Sequence, residues 1–161
     1  MRIVIFAMLI GLFSTAAIGQ TKGAKEEKQE EKMEGKEMQP AIPTLVTQAF
    51  AKEYPGSKAT WDAEDGGFEA EFKWDGADAS ATYNKVGHRE AFEIAIKTSE
   101  VPSPILDYVK NNYPQHKMTG AAKITDDKNV VTYETELGKD GKSIDVIFDA
   151  NGKFIKEEEA D

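Results

Sequence analysis

From residue 41 onward the spacing of hydrophobic positions changes several times, and each change marks a new element. Leu45, Val46, Ala49, Phe50 and Tyr54 recur at three- and four-residue intervals, the signature of one helix face. From Phe68 the period becomes two. Phe68, Ala70, Phe72 and Trp74 alternate with Glu69, Glu71 and Lys73, the pattern of a strand with one apolar and one wet face. Gly66-Gly67 before it and Asp75-Gly76 after it are turn chemistry. Lys58–Ala63, carrying Trp61, is expected to pair ahead of this strand, with Ala77–Tyr83 and Ala91–Lys97 behind it. The helical period returns at Ile105, Leu106, Val109 and Tyr113, and strands are expected again over Lys117–Thr125, Val130–Leu137, Ser143–Phe148 and Phe154–Glu158. Thr44 and Ser103 are expected to cap the two helices, with Pro104 at the first helical position. Pro55 and Pro114 stop them, because the residue before a proline avoids the helical region. Helices this short are unstable alone in water, so both should cover the apolar face of the sheet.

The elements recur because the sequence does. Ile42-Pro43-Thr44 and Tyr54-Pro55-Gly56-Ser57-Lys58 return 59 positions later as Val101-Pro102-Ser103 and Tyr113-Pro114-Gln115-His116-Lys117. Phe68-Glu69-Ala70-Glu71-Phe72 and Tyr83-Asn84-Lys85-Val86-Gly87 return 65 positions later as Tyr133-Glu134-Thr135-Glu136-Leu137 and Phe148-Asp149-Ala150-Asn151-Gly152. One insertion near Ala121–Asp127 accounts for the change of offset. The expected fold is therefore α+β: two tandem αβ4 repeats, at 41–100 and 101–161, with short helices packed on one face of antiparallel sheet. A unit of this size is marginal alone, so the two are expected to share one extended sheet.

The first forty residues follow another logic. Met1-Arg2 precedes an apolar run from Ile3 to Phe13, then the small residues Ser14-Thr15-Ala16-Ala17-Ile18-Gly19. A short positive start, an apolar core and a small-residue end form a secretory signal peptide, residues 1–19, with cleavage expected after Gly19. Residues 20–40 are a Lys- and Glu-rich low-complexity segment with too little apolar surface to offset the entropy of ordering, and are read as a disordered charged linker. The location implied is periplasmic or secreted, without stable membrane insertion once the leader is removed.

Charge and composition narrow the chemistry. The 161 residues carry 29 Asp+Glu against 20 Lys+Arg, a formal net charge of −9, and no cysteine. The acidic balance argues against nucleic acid, whose phosphates need massed Lys and Arg. The missing cysteines exclude disulfides, thiolate metal sites and a cysteine nucleophile. His88 and His116 sit at a turn and a helix exit without metal-ligand spacing. No nucleophile elbow or phosphate-binding glycine loop occurs. The acidic turns Asp126-Asp127 and Asp149-Ala150-Asn151-Gly152 offer oxygen ligands, but an EF-hand beginning at Asp149 would need glutamate where Ala160 stands. Hairpin turns account for these residues better than a calcium loop. No enzyme activity, cofactor or metal is expected.

A short helix ending in Tyr-Pro-x-x-Lys, a Trp strand, an aromatic/Glu hairpin and a Tyr/Phe-x-x-x-Gly turn, repeated in tandem behind a signal peptide, resemble the PepSY-like, beta-lactamase-inhibitor-like secreted proteins. The resemblance covers residues 41–161. It implies two αβ4 units in the periplasm or at the cell surface, with a sheet face that grips a protein partner. The residues point to the same face. Glu69 and Glu134, and Glu71 and Glu136, are equivalent across the repeats and join Lys73, Glu93, Lys97 and Asp145 on the side away from the helices. That solvated acidic face is the expected docking surface for an envelope protein with a basic patch, in an inhibitory or regulatory role. The alternative is a small ligand or cation held in the groove between the repeats; a hydrolase is a distant third.

Overall fold

The structure, a computed structural model, describes residues 40–64 and 66–160. The expected signal peptide and the charged linker up to Gln39 lie outside the described residues. Helix α1 (Thr44–Glu53) leads into strands β1 (Thr60–Glu64), β2 (Gly67–Trp74), β3 (Ala77–Asn84) and β4 (Arg89–Ala95). A 3-10 turn at Thr98–Glu100 connects to α2 (Ser103–Asn112), followed by β5 (Lys117–Asp126), β6 (Val131–Lys139), β7 (Lys142–Asp149) and β8 (Phe154–Glu159). The eight strands form one antiparallel sheet in chain order. Its two halves join where Phe92 of β4 faces Thr125 of β5 and Ala95 faces Ala122. The architecture is α+β, dominated by antiparallel sheet.

The helix starts differ from expectation. Pro43 and Pro102 occupy the cap positions, and no side chain caps either helix. Each proline is extended, and its carbonyl accepts the first helical bonds, from Val46 and Thr47 N–H in α1 and from Ile105 and Leu106 N–H in α2. Proline fits there because its fixed φ suits the extended cap and its absent N–H is not needed. Thr44 and Ser103 thus become the first helical residues. Both helices end one residue before a Tyr-Pro pair, as the restriction on pre-proline residues requires.

Both helices cover the same face of the sheet. Val46, Phe50 and Tyr54 pack against Ala70, Phe72, Ala79, Ala81 and Tyr83. Ile105 and Val109 pack against Leu137, Val146 and Phe148. The register carries this face across the junction, from Phe92 and Ile94 through Thr125 and Lys123 to Val131 and Tyr133. Leu45, expected in the α1 stripe, is 59% exposed instead. The repeated tyrosines anchor the helix ends to the sheet: Arg89 Nη1 donates to Tyr54 Oη at 2.6 Å, and Tyr113 Oη donates to Glu157 Oε2 at 2.5 Å.

The Tyr/Phe-x-x-x-Gly turns lock each helix start. Asn84 Oδ1 accepts the N–H groups of Val86 and His88, and Asp149 Oδ1 accepts those of Asn151 and Lys153. Each turn ends in a glycine of positive φ, Gly87 or Gly152. A Cβ on Gly87 would stand 2.7 Å from the Leu45 carbonyl oxygen, and one on Gly152 2.7 Å from Pro104 Cβ. Only glycine permits that approach.

Candidate functional site

The face without helices is the one the sequence offered as a docking surface. Strand alternation does place Glu69, Glu71, Lys73, Glu93, Glu134, Glu136 and Asp145 on it. Glu71 lies opposite Ser80, which in turn lies opposite Glu93; Glu134 sits between Ala122 and Ile147; Glu136 lies opposite Asp145. The expectation that this face is wet is overturned. Glu69, Glu93, Glu134 and Asp145 are only 4%, 4%, 7% and 6% exposed. Glu71 and Glu136 are half-buried. Lys73 alone is open, its side chain 67% exposed and paired with Asp78. Lys97 falls beyond β4, where its N–H is bonded to Glu100 Oε2 at 2.8 Å.

Curling of the sheet explains this burial. The pairing register shifts three times, at Thr82/Tyr83 between β3 and β4, at Met118/Gly120 between β5 and β6, and at Ile147/Phe148 between β7 and β8. Such bulges bend a strand and increase its twist. The bent sheet borders a half-open cavity of about 410 Å3 on its concave side. Ser80 and Thr82 of β3 and Ala91 and Glu93 of β4 form one wall. Ile124 of β5, Thr132 of β6 and Ile147 of β7 continue it, and Ile155 and Lys156 of β8 complete it. Glu90 and Ile155, the extra residues of two bulges, are both exposed and stand at its rim.

The electrostatics follow from this enclosure. Burial pushes the Glu93 carboxyl well above the ordinary carboxylate range, and the nearby Asp145 charge pushes it the same way. Burial raises Glu134 too, aided by Glu93, Asp145, Glu136 and Glu158. Glu134 Oε2 has no hydrogen-bond partner among the described residues. At the opposite wall Lys156 Nζ donates to Glu158 Oε1 at 2.7 Å. Carbon-rich walls with a desolvated acid set in them can hold a proton or a cationic group. The cavity lining offers serine and threonine hydroxyls with no histidine beside them among the described residues.

The other candidates lie elsewhere and have structural partners. His88 Nε2 approaches Asp127 Oδ2 at 3.3 Å, tying the β3–β4 turn to the β5–β6 turn. His116 stands edge-on to Tyr113 at 5.6 Å between ring centres. Asp126 Oδ1 accepts the N–H groups of Lys128 and Val130, so that carboxylate, like Asp149, shapes a turn. Sequence reasoning missed most cavity residues, Ile124, Ile147, Ile155 and Lys156 among them. One signal was available. In β7, Ile147 interrupts the alternation between Val146 and Phe148, marking a strand buried on both faces.

A family model described as "Putative beta-lactamase-inhibitor-like, PepSY-like" matches residues 65–156. Among solved structures the chain is similar to one from Bacteroides eggerthii, described as "putative periplasmic proteins". The two share 14% identity with a TM-score of 0.68, over 74% of this chain and 90% of that one. It is also similar to a BLIP-like protein from Bacteroides fragilis, at 14% identity and a TM-score of 0.60, over 74% of this chain and 87% of that one. At such identities the likeness establishes the fold. Comparison with curated proteins finds no match.

Proposed function

The chain belongs to the PepSY-like, beta-lactamase-inhibitor-like family, and on that premise we propose a non-enzymatic periplasmic binding protein that takes its ligand in the concave face of the sheet. The observation that carries this is the cavity of about 410 Å3 walled by strands of both halves. Its volume suits a small organic molecule, and a few polar groups in a carbon-rich wall are the usual composition of such sites. The leader-like N-terminus and the Bacteroides eggerthii neighbour support the location. We read the halves as tandem αβ4 units because each runs helix then four strands and each closes a glycine turn onto its own helix. Docking of an envelope protein against an open acidic face has less support, since four of its carboxylates are buried.

The test is capture with a filled cavity as control. Mature protein from Gln20, tagged at the C-terminus, is passed over envelope extract, and retained molecules are identified by mass spectrometry. Ala91→Trp, which places an indole in the cavity wall, runs in parallel. A small molecule kept by the wild type and lost by Ala91→Trp is the expected result. A partner retained equally by both would move the site off the concave face.

A further inference from the structure

We propose that the cavity selects an organic cation, an ammonium group carried on an apolar body, with Glu93 as its counter-charge. The inference rests on the concave face being the binding site. Glu93 is buried and part of the cavity wall, while Ile124, Ile147 and Ile155 supply apolar surface around it. Glu134, on the same face of β6, is buried with Oε2 unpartnered among the described residues. The charged groups on this face are unequal in sign. β4 contributes Glu90 and Glu93, β6 contributes Glu134 and Glu136, and β7 contributes Asp145. From β2 come Glu69, Glu71 and Lys73, the last paired with Asp78 of β3. β8 adds Glu158 and the cation Lys156, which are bonded to each other. Ser80, Thr82 and Ile124 bring no charge to the wall.

Burial, and after it the Asp145 charge, favour the protonated form of Glu93. An entering ammonium supplies a counter-charge to Glu93. The Glu93 carboxyl ionises, its proton leaves to solvent, and the carboxylate accepts a charge-assisted hydrogen bond from the ammonium. Binding therefore releases a proton and strengthens as pH rises, until the amine itself loses its charge. A carboxylate ligand would meet repulsion, and an alcohol would gain only apolar burial.

Three probes with one chain length separate these cases: decylamine, decan-1-ol and decanoate, titrated calorimetrically into the mature protein. Decylamine should bind at a single site about tenfold or more tighter than decanol, the usual scale of a hydrogen bond to a charged group. Decanoate should bind more weakly still. Decylamine affinity should rise between about pH 6 and about pH 8, by up to about tenfold per unit for each proton released. Two buffers of different ionisation enthalpy should reveal that proton directly. Glu93→Gln, which mimics the protonated acid in shape, should bring decylamine down to the decanol level and abolish proton release, with an unchanged urea-unfolding midpoint at about pH 5 as the control for folding. Equal binding of decanol or decanoate would overturn the charge selection and leave the concave-face site standing. Decylamine binding unaltered by Glu93→Gln would overturn the role of Glu93. Binding of none of the probes would overturn the inference, while capture by wild type and Ala91→Trp judges the underlying site independently.

Discussion

The two faces of the sheet are both shielded from water, but by different means. Helices seal the convex face: Phe50, Tyr54 and Phe72 meet edge-on or tilted at 4.6–5.4 Å between ring centres, and Tyr108 stacks on Phe154 at 5.5 Å. The concave face has no helix. It is shielded by the sheet bending over itself, and its shelter holds carboxylates and a cavity where the other face holds rings. A close-packed apolar face serves stability. A face that buries several acids and sets one of them, Glu93, beside a cavity spends stability on something else, and binding is the use that the cavity suits. Adjacent residues of β7 show the division, since Phe148 points to the helices and Ile147 to the cavity.

That adjacency supplies the largest expected effect. Phe148→Ala opens a void in a sealed core and should cost about 3–5 kcal/mol. Ile147→Ala removes surface that already borders empty space, so it should cost about 2 kcal/mol, the low end for such truncations. Urea denaturation of the two variants measures both. Equal costs would mean that the concave face is packed as tightly as the convex one, and the contrast would fail.

Next in size are the turns that hold the helices in place. Ala at Gly87 or Gly152 meets both a positive φ and a contact of 2.7 Å with the helix start. Each substitution should destabilise by about 2 kcal/mol. Gly56→Ala is the comparison: its φ is also positive, but nothing lies within 4 Å, so its loss should be smaller by the contact alone. Similar losses at all three positions would show that backbone conformation, rather than the fit of turn to helix, decides.

The convex face was readable in the sequence because regular alternation and helical spacing both report burial against a neighbouring element. Trp61, Phe72 and Phe92, like Ile105 and Val109, lie where those periods put them. The concave face was not readable, since alternation fixes which side a residue faces and says nothing of whether the sheet bends. The bends come from bulges, and at two of them the extra residues are Glu90 and Ile155, equivalent in the repeat and both on the cavity rim. A single unpaired residue leaves no mark on hydrophobic periodicity. Glu69 and Glu134 consequently looked like solvated strand positions, and only the bend of the sheet distinguishes a wet glutamate from a buried one.

Buried acids also set a pH dependence with a definite sign. Glu93 and Glu134 titrate above the ordinary carboxylate range in the folded protein and within it when unfolded. Between those limits the native state holds more protons, so stability falls as pH rises through the window. Glu134→Gln should match the wild type near about pH 5 and exceed it by about 1–2 kcal/mol near about pH 8, where the wild type must either keep a proton or bury a charge. Urea unfolding at both values checks this. A wild type equally stable at both would mean water reaches these carboxylates, and the concave face would be open after all.

The smallest expected effect is at Lys73, on the same concave side of β2 as Glu69 but beyond the shelter of the bend. Its side chain is 67% exposed and its pair with Asp78 is a surface one. Such pairs gain little in high dielectric and lose side-chain entropy, so Lys73→Ala should change stability by about 0–0.5 kcal/mol. The value of measuring so small a change lies in its neighbour. Glu71, half-buried on the same strand, sits between the open Lys73 and the buried Glu69. Glu71→Gln should change stability by more than Lys73→Ala and less than Glu134→Gln, because it stands half-buried between an open and a buried position. A graded series would locate the edge of the enclosed region along β2, whereas an abrupt step would place that edge between one residue and the next.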